Sequence, residues 1–190
     1  TELSVNSQCD VAIESEGDGA TLDGESLSRH FYVGQQANLT LRRVHLRNGA
    51  ALDGGAVHVG KQGSVLIADA SICGCHATRN GGVLYTEDFA SATLSNVSCA
   101  NSSAARDGGV GFATSSTIHI DGGFTAVNSS VMRAGGVLAA SKSSTITIFG
   151  HLEAFGSYAA SGGGVLFMDS TSSILITGSL IADHSYADDG

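Results

Sequence analysis

Asp53, Asn80, Asp107 and Asp189 each stand immediately before a glycine, at separations that are one repeat of about 27 residues or close to a multiple of it. Carboxylates placed on successive turns of a repeat can gather a metal ion or take a proton, provided that several converge on one face. The same position suits a tight turn, where an Asx side chain bonds its own backbone. With an amide at Asn80, the column offers at most a weak calcium site. A second acidic position, Asp69, aligns with Asn96 and then Gly123, so no acidic cluster forms there. The seven histidines share no column, and no Gly-X-Ser-X-Gly elbow accompanies the many serines. These residues read as turn formers. No motif implies a cofactor or a metal, and no catalytic residue is assigned.

The four cysteines and the asparagines suggest modification chemistry instead. Cys73 and Cys99 are 26 residues apart, nearly one period, which brings them close to neighbouring-strand distance. Strands lie about 4.8 Å apart and a disulfide spans Cα atoms roughly 4.4–6.8 Å apart, so Cys73–Cys99 is a candidate disulfide. A one-residue register offset would turn the two side chains to opposite faces and leave small buried thiols. Cys73-Gly74-Cys75 is not a metal motif, since no second pair stands at ligand spacing. Asn-X-Ser/Thr occurs at Asn38, Asn96, Asn101 and Asn128, four candidate glycosylation sites that point to a secreted or surface protein. Asn101 and Asn128 are one period apart and would stack about 5 Å from each other. They are expected to face solvent in a turn, with at most one carrying a glycan.

Composition narrows the partners. The 190 residues include 26 glycines, no proline and no tryptophan, and the net charge is −9. That charge argues against nucleic acid and against electrostatic docking on anionic lipid. No apolar run reaches the ~18–20 residues of a membrane-spanning helix. Missing proline fits a chain made mostly of strands. The chain is expected to form a single domain over 1–190, irregular over 1–50 and regular over 51–190. It begins and ends in mid-pattern, as a piece of a larger protein would.

The element that must position all these residues is a repeat. Paired glycines recur at 54–55, 81–82, 108–109, 135–136 and 163–164, with Gly190 one further period on. Each pair opens one phrase, Gly-Gly-Ala-Val-His-Val at 54–59 and Gly-Gly-Val-Leu-Phe-Met at 163–168, for example. Fixed-period self-similarity means units that bury a core only by stacking. Within one unit, extended runs at 110–113, 117–120 and 124–127 alternate with Gly, Ser, Asn and Asp turns, giving three short strands per coil. The coil that follows Gly135 is one residue longer, and the insertion falls in Ser141–Ser144. Parallel crossovers are right-handed, so the expected fold is all-β, a right-handed parallel β-helix with about 27 residues per coil.

Two columns belong inside such a coil: Ala56, Val83, Val110, Val137 and Val165, then Val44, Val97, Phe124, Leu152 and Leu180. After the glycines, two adjacent stripes are both apolar, Val57, Leu84, Leu138 and Leu166, then His58, Tyr85, Phe112 and Phe167. Adjacent positions on a simple strand face opposite ways, so one stripe must face outward. Val57, Leu84, Leu138 and Leu166 are the candidate apolar contact stripe.

The Gly-Gly-[Ala/Val]-[Val/Leu] phrase, with its Ser-rich turn and aliphatic-X-Ile strand, resembles the repeats of polymorphic outer-membrane-type autotransporter adhesins. Gly19–Gly24, Ser28–Phe31 and Ala37–Leu41 are similar to the entry coils of that class. Its Phe-X-X-Asn motif has a one-residue-longer counterpart in Phe124–Asn128. The resemblance covers about residues 19–190. It implies a secreted or surface-displayed passenger used for adhesion or structure, whose partner is a protein, another copy or a surface glycan. Two alternatives share the architecture. A polysaccharide lyase or epimerase would need converging carboxylates, and an ice- or crystal-binding solenoid would need a flat column of threonines, which His119 and Leu175 interrupt.

Overall fold

The computed structural model describes residues 1–188 and is a β-solenoid of about seven turns without a helix. Asp189 and Gly190, which continue the aspartate and glycine columns in the sequence, lie outside the described residues. Three parallel sheets run along the solenoid axis. The first has seven strands, from Leu3–Val5 through Val57–Val59 and Gly111–Thr114 to Leu166–Met168. The second has twelve, and the third is a column of six two-residue strands from Ala50–Ala51 to Tyr186–Ala187. Every pairing is parallel and joins residues one turn apart, as in Leu84↔Gly111 and Ile118↔Ile146.

A coil holds more segments than the expected three. Between Gly111 and Val131 there are four: Gly111–Thr114, Thr117–Ile120, Gly123–Val127 and Ser130–Val131. In the two preceding turns the middle pair fuses into ten-residue strands, Ser64–Cys73 and Ser91–Ala100. A left-handed residue, Asp69 (φ 51°) or Asn96 (φ 53°), bends each of these where the later turns break. The first 50 residues, expected to be irregular, supply two further turns in register with the rest: Leu3 faces Phe31, and Phe31 faces Val57. They lack the double glycine but keep the strand spacing.

The two glycines of each pair serve different ends. The first has φ of +61° to +70° at Gly54, Gly81, Gly108, Gly135 and Gly163, a conformation that other L-residues adopt only with strain. The second admits no side chain: a Cβ on Gly82 or Gly109 would lie 2.2 Å from the carbonyl oxygen of the equivalent glycine one turn on. Just after the pair, two successive amides donate to one carbonyl. Val83 N and Leu84 N both bond Val110 O, and Val110 N and Gly111 N both bond Val137 O, at 2.9–3.0 Å. This bulge lets two adjacent side chains point the same way.

The bulge corrects the expected outward stripe. Val57, Leu84 and Leu138 are fully buried in the main core, and Leu166 packs against it. The following stripe, Tyr32, His58, Tyr85, Phe112, Ala139 and Phe167, points away from the main core instead, and there Tyr85, Phe112 and Ala139 are buried as a small cluster of their own with Phe167 packed against it. Both expected interior columns are inside. Leu180, in the last described turn, is 39% exposed, whereas its neighbour Leu152 is wholly buried. The inserted residue sits in the Ser141–Ser144 turn, where Lys142 and Ser143 both take positive φ. The turn before manages with Ser115 alone.

Candidate binding groove

Three arginines, Arg79, Arg106 and Arg133, occupy one position on three successive turns, just before the glycine turn. Arg79 Nε donates to Asp53 Oδ1 at 3.0 Å while its Nη2 bonds Asp53 Oδ2. Arg133 Nε donates to Asp107 Oδ1 at 2.8 Å while its Nη2 bonds Asp107 Oδ2. Arg79 and Arg133 thus each grip the carboxylate of the preceding turn in a two-pronged bond, the strong geometry for this pair. Both carboxylates are buried, and each also accepts a backbone N–H, from Asn80 at 3.1 Å and from Ala134 at 3.2 Å. The aspartate column therefore locks turn to turn, and its carboxylates face guanidinium groups. That occupancy leaves no calcium site at Asp53 or Asp107.

The middle rung differs. Arg106 stands opposite Asn80, not a carboxylate, and its exposed guanidinium has no partner among the described residues. Asn80 Nδ2 donates to Asp53 Oδ1 at 3.1 Å, while Asn80 Oδ1 is buried without a partner. An aspartate at position 80 would set two carboxylates about 3 Å apart, which like charges resist; the amide avoids this.

Beside the arginines runs the aromatic stripe. Ring centroids are 5.2 Å apart for Tyr32–His58, 4.9 Å for His58–Tyr85 and 5.9 Å for the stacked Tyr85–Phe112 pair. The stripe lies close under the glycine turns: a Cβ on Gly108 would be 3.2 Å from Phe112 Cβ. Burial, with the nearby Glu87 charge, pushes the Tyr85 hydroxyl well above its ordinary pKa. Burial likewise lowers the pKa of His58, against the opposing pull of Glu87, whose Oε1 lies 2.9 Å from His58 Nε2.

Together these rows form a groove of about 480 Å³ across four turns, lined by Arg79, Asn80, Tyr85, Arg106, Asp107, Phe112, Thr114, Arg133, Ser141, Lys142, Phe167 and Asp169. Asp169 is held as an anion, its pKa lowered to about 2, first by the Lys142 backbone N–H at 2.8 Å and further by Thr171 and Ser172. The Lys142 ammonium has no partner among the described residues. Four of the nine basic side chains of an acidic protein thus line one groove. Such a site can bind an anion next to apolar surface.

The site residues picked out by sequence are scattered. All four cysteines are free. Cys73 pairs with Ala100 and Cys99 with Ile72, so the offset of one residue sends the two side chains to opposite faces and the Cys73–Cys99 disulfide does not form. Cys75 and Cys99 are buried among apolar side chains, and burial raises the Cys75 thiol to about 11. Asn38, Asn96, Asn101 and Asn128 are all exposed. Asn101 and Asn128 have φ of 52° and 51° and share their column with Gly156 and His184, also at positive φ. The place asks for a left-handed residue, which Asn and Gly adopt readily, and Asn128 Nδ2 donates to Asn101 Oδ1 at 3.4 Å. Thr147 lies between His119 and Leu175, so threonines do not make a continuous rank. Sequence reasoning missed the basic column, although its signal is plain: Arg79, Arg106 and Arg133 are each 27 residues apart.

No model of a known family, no characterised protein and no solved structure matches this chain. The class that stands is the β-solenoid. Among the described residues no helix is long and apolar enough to cross a membrane.

Proposed function

We propose that this β-solenoid is a non-catalytic binding module, an extracellular or cell-surface scaffold that presents its arginine–aromatic groove to a glycan or protein partner. The observation that carries this reading is the groove itself, in which Arg79, Arg106 and Arg133 on three successive turns, with Lys142 beyond them, run beside Tyr85, Phe112 and Phe167. The frame around it is stiff, because each turn is tied to the next by backbone bonds and glycine contacts, and two of the steps by Arg–Asp forks as well. Preorganised sites of this kind lose little conformational entropy on binding. Four exposed Asn-X-Ser/Thr sequences and the adhesin-like repeat phrase support the location. The test is incubation of the protein with neutral and acidic polysaccharides, with and without calcium, following retention and product release. Saturable retention without products supports the reading; turnover of any polysaccharide overturns it in favour of a lyase- or epimerase-like enzyme.

A further inference from the structure

We propose that the groove takes an acidic oligosaccharide and that Arg106 receives the carboxylate of one of its sugar units. This rests on the groove being a binding site and names its ligand class. Arg79 and Arg133 are neutralised by Asp53 and Asp107. Between them Arg106 presents a fork of donors with no anion, while further along the same groove the charges of Lys142 and Asp169 offset one another. A guanidinium fork matches a carboxylate in two parallel bonds.

The walls of the groove specify the rest of the ligand. Asn80 is only 8% exposed and its unpaired Oδ1 has no open surface, so Arg106 is the group left to make the directional contact. Phe167, partly buried, supplies an apolar edge, whereas Phe112 is covered. Carboxylates spaced along a chain with apolar ring faces between them describe a run of uronic acid units, and a groove along several turns suits such a linear chain. An extended peptide fits poorly. Strand addition needs a free sheet edge, whereas the first-sheet strands beside the groove spend their backbone groups on the turns above and below.

The test is titration calorimetry of the full chain with a polygalacturonate oligomer, a sulfated oligosaccharide, a neutral glucan of equal length and acetate. The carboxylated oligomer should bind best. Arg106→Gln should weaken it about tenfold or more, Arg106→Lys should restore part of the affinity, and Arg42→Gln, on the second sheet, should change nothing. Arg106 is exposed and unpaired, so its variants should fold, and melting curves check this. Equal binding by wild type and Arg106→Gln overturns the assignment, as does tighter binding of the sulfated oligomer. Acetate binding as tightly as the oligomer would mark an adventitious anion only and overturn it too. If the neutral glucan binds as well as the acidic one, the acidic assignment falls while the binding-module reading survives. Loss of binding to every glycan overturns the inference and removes glycan from that wider reading.

Discussion

Replacing Gly109 with alanine tests whether the second glycine of each pair sets the distance between turns. Its Cβ would stand 2.2 Å from Gly136 O and 3.1 Å from Ser130 N, the first far inside the 3.0 Å that real contacts respect. Both are backbone atoms and cannot swing aside, so the turn must lift by something near ~1 Å. Lifting strains the bonds Gly108 N to Ala134 O (3.0 Å), Gly109 N to Gly135 O (3.1 Å), and Val110 N and Gly111 N to Val137 O (2.9 and 3.0 Å). Overpacking costs about 1–3 kcal/mol, and partial weakening of these four bonds, at about 0.5 kcal/mol each, adds about 2 kcal/mol. The expected loss is therefore about 3–5 kcal/mol. Gly17 is the control. It has φ of +69°, and a Cβ there would meet no atom within 4 Å, so alanine carries only the left-handed penalty of about 1–2 kcal/mol. Urea unfolding followed by far-ultraviolet circular dichroism compares the two, and hydrogen exchange at residues 108–111 and 135–138 locates the damage, since solenoid turns open locally. If Gly109→Ala is no less stable than Gly17→Ala, glycine contact does not set the spacing.

Arg133→Ala should cost about 2 kcal/mol, because it strands the buried Asp107 carboxylate while the half-exposed site lets water soften the loss; Arg106→Ala should stay within about 0.5 kcal/mol. Equal midpoints for the two in urea would show that the forks add nothing. Stability should fall as the solution is acidified below about pH 6.5. Burial lowers the pKa of His30 and of His58 in the folded chain, so the unfolded state takes up protons first. His30 Nε2 donates to Leu22 O and Arg47 O, each at 3.0 Å, and its buried Nδ1 has no acceptor for a second proton. A urea midpoint higher at about pH 5 than at about pH 7.5 would contradict this. Iodoacetamide should label Cys9 rapidly in the folded protein and reach Cys75 and Cys99 only on unfolding, because burial excludes reagent and raises both thiols; peptide mass mapping reads this directly, and early labelling of Cys99 would show that the interior opens.

The architecture follows from the order of residues alone. A glycine pair every 27 residues, with aliphatic residues in phase behind it, can bury a core only by stacking, and the parallel register follows from that period. The Asn101 and Asn128 turn position is legible too, because Gly156 and His184 continue the same column and the shared demand is for positive φ. Three matters are decided only in three dimensions. Alternation suggests that Val57, Leu84 and Leu138 face out, yet two amides sharing one carbonyl turn a pair of neighbours inward, and that bonding pattern leaves no mark on residue type. The 26-residue spacing of Cys73 and Cys99 looks close to one period, but in a strand a one-residue offset reverses the face, so a near match separates the thiols. The arginine column can be counted from the sequence; which arginine is left without an anion cannot. Electrostatic pairing depends on the residue one turn away, and only stacking sets Arg79 and Arg133 against aspartates and Arg106 against Asn80.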